Sequence, residues 1–312
     1  MFNFPAQGAL ASRQERAFTR PQPATEIAIG SRIEGDGPAI VLLHSSMASK
    51  SQWRSLTECM RGTYRLIAID LHGYGDSAMP QCPGQFSLVD EVRLVQAKLA
   101  QVLAPEECFH LVGHSFGGGV ALRLAHASPE RLHSLCLYEP TAFHLLDRGE
   151  PALEEVRGLA RAVEAAVHNG DRFGATELFI DYWSGAGAHA ALPPARQALF
   201  ACLLPKVLLD FQALLNDPLA ASDYGRIPVP TCLIVGRRSP KCVHAIASIL
   251  AAVFANLETR EIDAGHMAPL THSALVNSII DGFICDVQAQ RSGPSTRKKP
   301  GAFSLTHRLM DA

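Results

Sequence analysis

Apolar positions in this chain come in short unbroken runs more often than in alternation. Ala39-Ile-Val-Leu-Leu-His44 and Tyr64-Arg-Leu-Ile-Ala-Ile-Asp70 are the clearest. Such runs suit strands covered on both faces, since a strand with one wet face would alternate apolar and polar residues. Shorter runs at Phe109–Val112, Leu132–Tyr138, Thr231–Gly236 and Glu258–Ile262 read the same way, and Thr25–Glu34, turned by Gly35-Asp36-Gly37, predicts a first β unit. Between the runs the period becomes helical, with Trp53, Leu56 and Met60 on one face of Lys50–Met60 and a second helix over Leu88–Leu103. Strands alternating with helices predict an α/β fold on a doubly wound, mostly parallel sheet.

One stretch breaks that rhythm. Residues 141–227 offer no convincing strand, only helical patches at Leu153–Val167, Arg172–Trp183 and Ala195–Leu215. The span is too long for a simple connection, so it predicts a helical cap inserted after the strand that ends near Glu139. The expected organisation is then a core over residues 25–140 and 228–288 with the cap at 141–227. An N-terminal arm at 1–24 and a tail at 289–312 are expected to be loosely ordered. Tyr182-Trp183 before Ser-Gly-Ala-Gly reads as a cap hinge or as a plain helix end.

Composition narrows the function classes. The 312 residues are 47% hydrophobic and 19% charged, enough for a sizeable core. A net charge of −2, with no basic stripe, gives no case for nucleic acid or an acidic membrane surface. No run suggests a membrane span, and the N-terminus lacks the basic-then-apolar pattern of a signal peptide. Eight scattered cysteines without a CxxC, three of them (Cys108, Cys136 and Cys232) in strand-like runs, predict reduced thiols and a cytoplasmic location. Thirteen histidines include no HExxH and no Cys/His cluster, so neither a metal nor an organic cofactor is expected. The expected partner is a small-molecule substrate; the sequence carries no mark of an oligomeric state.

The chemistry centres on Gly113-His114-Ser115-Phe116-Gly117. An apolar strand leads in and a helical pattern led by Val120, Leu122 and Leu124 follows. A serine on so tight a strand-to-helix turn needs small residues two positions to either side, and its hydroxyl then stands clear of the sheet above a helix N-terminus. Ser115 is therefore the candidate nucleophile rather than a helix cap. A serine hydroxyl needs a positioned base, and His266, in the Ala264-Gly-His loop after the last strand, can reach back across the sheet edge. Two N–H groups must hold the oxyanion of a tetrahedral intermediate. Phe116 supplies one, and the loop after His44 the other, with Ser46 ahead of Met47.

Leu42-Leu-His-Ser-Ser…Trp53, Asp70-Leu-His-Gly-Tyr-Gly-Asp-Ser77, Gly113-His-Ser-Phe-Gly-Gly118 and Ala264-Gly-His266 occur in the order, and at about the spacing, of the α/β-hydrolase superfamily. Over residues 25–288 the chain resembles a capped member of its esterase, C–C hydrolase and cofactor-free haloperoxidase-like branch. The resemblance implies a structural turn at Asp70–Ser77. It also counts against halide-releasing and epoxide-opening chemistry, which in this superfamily need an Asp where this chain has Ser115. Two departures stand out. His44-Ser45 replaces the usual His-Gly, so a differently shaped loop is expected and the Ser45 hydroxyl becomes a candidate substrate contact. The usual acid, an Asp after the penultimate strand, is missing: Gly236 is followed by Arg237-Arg-Ser-Pro-Lys241, with Ser239 at the aligned position.

Some members of the superfamily take the acid from the strand after the nucleophile helix. Here that strand ends at Tyr138-Glu139-Pro140, beside the expected place of Ser115, which makes Glu139 the candidate acid. The bland alternative is a carboxylate paired with Arg237 or Arg238. Asp263 ranks below it, and a dyad with no acid stays open. Met47, Phe116, Phe143, Trp183 and Met267 are candidates for the substrate pocket. The expected activity is a serine hydrolase acting on a small or medium apolar ester, thioester or lactone through an acyl-enzyme. C–C hydrolysis of a diketone-like compound by the same residues, or a weakly catalytic binding protein, are the alternatives.

Overall fold

The computed structural model describes residues 28–292. Seven strands form one sheet in the order β1-β3-β2-β4-β5-β6-β7: β1 Ser31–Glu34, β2 Ala39–Leu43, β3 Arg65–Ile69, β4 Phe109–His114, β5 Leu132–Tyr138, β6 Thr231–Gly236 and β7 Leu257–Ile262. Only β1 runs antiparallel, pairing with β3 at the edge. The others are parallel, so the C-terminal ends of β2, β4, β5 and β6 open onto one rim.

The unbroken apolar runs are explained by helices on both faces. Ile40 and Leu42 of β2 point to a layer holding Leu56 and Met60 of α1 (Arg54–Met60) with Val276, Ile280 and Ile284 of α10 (Ser273–Ser292). Val41 and Leu43 point the other way. There they join Val92 and Val95 of α2 (Leu88–Val102), Val120 and Leu124 of α3 (Phe116–Ala127) and Ile246 and Leu250 of α8 (Lys241–Val253). Side chains of successive strand residues alternate between faces, so only a continuous apolar run fills both layers.

Between β5 and β6 lie α4 (Pro151–His168), α5 (Arg172–Ser184), α6 (Pro194–Leu215) and the short α7 (Ala221–Tyr224), with no strand among residues 141–227. The aromatic pair Tyr182-Trp183 sits at the end of α5. Gly185 and Gly187 follow at φ 100° and 80°, and the Asp181 carboxylate accepts from the N–H groups of Gly187 (2.7 Å) and His189 (2.8 Å). This is a fixed helix end. By length and composition α6 is apolar enough to cross a membrane, contrary to the expectation from the sequence. The apolar residues of its C-terminal half pack on α5 and the core, Leu199 nearer its start is exposed, and its two central charges, Lys206 and Asp210, are buried in ion pairs.

Several boundaries move. The helix expected over Lys50–Met60 opens as a 3-10 turn at Lys50–Trp53, whose first N–H, that of Lys50, donates to Asp70 Oδ1 at 2.6 Å. Among the described residues the first strand is Ser31–Glu34, and residues 25–27 of the expected β unit lie outside them. Cys108 lies just ahead of β4, while Cys136 and Cys232 are buried opposite each other on β5 and β6. None of the eight cysteines, all of them among the described residues, is joined in a disulfide. Helix α10 runs on to Ser292, so residues 289–292 are helical rather than tail. The expected arm at 1–24 and the remaining tail at 293–312 lie outside the described residues.

Candidate active site

Strand β4 ends at His114 and α3 begins at Phe116, which leaves Ser115 alone to make the turn, at φ 55° and ψ −119°. A non-glycine residue at positive φ is strained and persists only where its surroundings hold it. Ser115 N–H donates to the Tyr138 carbonyl at 3.0 Å, and its own carbonyl accepts from Gly119 (3.0 Å) and Thr141 (3.2 Å). The flanking glycines are required by space. A Cβ on Gly113 would lie 2.5 Å from the Gly117 carbonyl oxygen, and one on Gly117 2.4 Å from that of His44.

His266 stands in the loop between β7 and the short α9 (Ala268–Thr271). Its Nε2 lies 2.9 Å from Ser115 Oγ and its Nδ1 lies 2.6 Å from Glu139 Oε2. With a carboxylate against Nδ1, the neutral ring carries its proton there and leaves Nε2 to accept from the serine. Glu139 is fully buried at φ 45°, just past β5. Its second oxygen accepts from the Gly236 N–H (2.5 Å) and from Ser239 Oγ (2.7 Å). Ser239, where the sequence lacked an acid, thus donates to the acid that comes from the neighbouring strand. Neither arginine competes for Glu139: Arg237 pairs with Glu261 and Arg238 with the exposed Asp263.

The His266 loop is held by two further donors. His114 Nε2–H donates to the His266 carbonyl at 2.9 Å, and the Tyr138 hydroxyl to the Gly265 carbonyl at 2.8 Å. Burial, then the nearby His266 ring, pushes His114 well below the ordinary histidine range, which keeps it neutral. From the insertion, Trp183 covers the imidazole of His266, with ring centroids 4.2 Å apart and planes 33° from parallel.

The loop after β2 is tied down residue by residue. His44 accepts from the Leu71 N–H at 3.0 Å and donates to the Ser45 carbonyl at 2.8 Å, and burial lowers its pKa to about 4. Ser45 turns away from the site: its N–H and hydroxyl both donate to Gln52 Oε1, at 3.1 and 2.9 Å. That removes it as a substrate contact. Met47 stands at φ 57°, beside the Tyr74 hydroxyl that donates to Asp210. Among the described residues, the N–H groups of Ser46 and Phe116 have no protein acceptor.

A cavity of about 20 Å³ adjoins Ser115. Phe143 and Trp183 line it, whereas Met47, Phe116 and Met267 do not. The Phe116 ring is turned into the core beneath the Lys206 ammonium, 4.4 Å from its centroid, so only the backbone of that residue faces the site. The sequence reading missed most of the wall: Thr141, Phe179, Val207, Asp210, Phe211 and Leu214. The signal available was an acid inside an otherwise apolar helical run. Asp210 accepts from Ser46 Oγ and from the Tyr74 hydroxyl, both at 2.5 Å, and from Lys206, which also pairs with Glu91 at 3.1 Å. All three charges are buried. Among the described residues, no group of three or more His, Cys, Asp or Glu is placed to hold a metal ion.

Residues 40–279 match the Alpha/beta hydrolase family. The chain belongs to this family. It is therefore a hydrolytic enzyme of esterase-like kind, in agreement with the resemblance carried by the motifs. Along most of its length this α/β hydrolase is similar to the pimeloyl-[acyl-carrier protein] methyl ester esterase of Methylococcus capsulatus, at 27% identity over 80% of this chain and 96% of that one. The corresponding Aeromonas hydrophila esterase is 39% identical over 104 residues, which is 32% of this chain and only 37% of the relative. In three dimensions the fold is similar to a thermophilic esterase from Thermogutta terrifontis, with a TM-score of 0.69 at 21% identity over 84% of this chain and 95% of that one.

Proposed function

We propose that this α/β hydrolase is a serine esterase working through an acyl-enzyme on Ser115. The observation that carries the reading is the continuous line of hydrogen bonds from Glu139 through His266 to Ser115, at 2.6 and 2.9 Å. His266 takes the Ser115 proton as the hydroxyl oxygen attacks the ester carbonyl, and Glu139 stabilises the resulting imidazolium and fixes its tautomer. The N–H groups of Phe116 and Ser46, free of protein acceptors, receive the oxyanion, with that of Met47 next in the same loop. His266 returns its proton to the departing alkoxide. Water, activated by the same imidazole, then releases the acid.

The aromatic and aliphatic walls of the cavity favour a small or medium apolar ester, thioester or lactone. The relatives act, by name, on a methyl ester. The cavity is narrow, so the apolar side chains that α5 and α6 contribute to it, Phe179, Val207 and Phe211 among them, must give way to admit such a substrate.

A fluorophosphonate probe tests the proposal. The folded wild type should be labelled at Ser115 and should hydrolyse short-chain esters, and both activities should vanish in Ser115→Ala. A folded wild type that neither labels nor turns over any ester would overturn it.

A further inference from the structure

The cavity wall beside Ser115 is more polar than an apolar ester needs. Thr141 is buried, lines the cavity, and its Oγ1 has no hydrogen-bond partner. Its N–H donates to the Ser115 carbonyl, so the side chain sits directly beside the nucleophile. Asp210 lines the same cavity. An ionised carboxylate offers about four acceptor positions. Ser46 and Tyr74 occupy Oδ2 and Lys206 one side of Oδ1, which leaves one position open.

The charge count points the same way. Glu91 and Asp210 flank a single Lys206, and none of the three is more than 3% exposed, so one negative charge is buried at the wall without a counter-charge. Burial accordingly pushes the Asp210 carboxyl up from its ordinary range, against the opposing pull of Lys206. Buried polar atoms are nearly always paired, and a buried carboxylate gains most from a donor. The remaining lining side chains are apolar apart from Ser46 and Ser115, whose hydroxyls are already engaged, and the indole N–H of Trp183, which packs its ring on His266. Only a ligand, or a water holding its place, can meet Thr141 and the open side of Asp210. The space suits a group of about one heavy atom.

We infer that the preferred substrate is an ester whose chain carries a hydrogen-bond donor close to the reacting carbonyl, a hydroxyl or a protonated amine, seated between Thr141 and Asp210. This rests on the serine-esterase reading and sharpens it: the apolar walls hold the chain, while the polar pair selects one substituent. The donor gives a hydrogen bond to Asp210, and a hydroxyl also accepts one from Thr141. A protonated amine gives hydrogen bonds to both and adds the missing counter-charge.

The test uses the full chain and four methyl esters: butanoate and its β-hydroxy, β-amino and β-methyl derivatives. The β-methyl ester matches the others in size but has no donor. The expected kcat/KM is at least about tenfold higher for the hydroxy or amino ester than for the β-methyl ester. Thr141→Val should lower the hydroxy-to-methyl ratio, leaving the share that Asp210 supplies, and Thr141→Ser should restore it. Asp210→Asn should reduce the amino-to-methyl ratio more than the hydroxy-to-methyl ratio. Thermal melting checks that each variant is folded, and if Thr141→Val does not fold, the wild-type and Thr141→Ser ratios decide. A wild type that favours the β-methyl ester, or treats all four alike, overturns the inference while leaving the esterase intact. If no ester is turned over, the same set is read as methyl ketones protecting Ser115 from the fluorophosphonate. Equal protection by the hydroxy and methyl ketones overturns the inference, whereas absence of labelling counts against the esterase itself.

Discussion

A carboxylate can reach the Nδ1 side of His266 from the end of β5 or from the end of β6, because the two strands lie side by side. This chain uses the β5 end. Glu139 has one more methylene than an aspartate, and its second oxygen is held by Gly236 and Ser239, both on the β6 side. Glu139→Gln should leave the fold intact and lower kcat by about 10²- to 10⁴-fold, since an amide no longer fixes the tautomer or stabilises the imidazolium. Steady-state kinetics on any turned-over ester measures this; a loss below about tenfold would remove Glu139 from the mechanism. The proximity of Ser239 allows a second test. In Glu139→Ala combined with Ser239→Asp, a carboxylate from the β6 side enters the space Glu139 vacates. The pair should recover at least about tenfold of the activity lost in Glu139→Ala alone, because much of the effect of such an acid lies in its charge and position.

Helix α6 carries the insertion onto the core. Its Lys206 sits among the rings of Tyr74, Phe86 and Phe116 and pairs with Asp210 on its own helix and with Glu91 of α2. Removing one member of a buried ion network leaves the others unpaired in a poor solvent for charge. Lys206→Met should therefore destabilise the protein by about 3–5 kcal/mol, read as a lower urea midpoint. Replacing all three charges together, as Glu91→Gln, Lys206→Met and Asp210→Asn, should lose less than Lys206→Met alone; a larger loss would show that the ions stabilise beyond their mutual compensation. This cluster marks the limit of what the sequence made legible. Strands, the Ser115 turn, the His266 loop and even the acid at the end of β5 are set by local pattern and chain order, and they could be read. The cavity wall is set by which turn of α6 meets the loop after β2, a contact between residues 164 positions apart that no local pattern encodes. The rejected lining residues failed for a related reason: at the first position of α3 the backbone of Phe116 faces the site while its ring turns into the core.

For the molecule as a whole, buried neutral histidines set the response to acid. Burial lowers both His44 and His110 from about 6.5 to about 4. His44 is fixed between Leu71 and Ser45 just past the end of β2, and His110 between Ser134 and Gln288 near the start of β4. The unfolded chain takes up these protons below pH about 6.5, whereas the folded protein resists until pH about 4. Between those values the unfolded state binds more protons, so stability falls as pH falls. It is fully present above pH about 6.5, and each histidine removes about 1.4 kcal/mol per pH unit on the way down. The urea midpoint should thus be flat from pH 8 to 7 and drop steeply between pH 6 and 4.5. His110→Gln isolates one contribution at a site remote from Ser115: it should lower stability at pH 7.5 through lost hydrogen bonds, yet give a shallower acid slope than the wild type. Parallel slopes for variant and wild type would mean that His110 titrates alike in both states, and the acid sensitivity would then have to arise elsewhere in the fold.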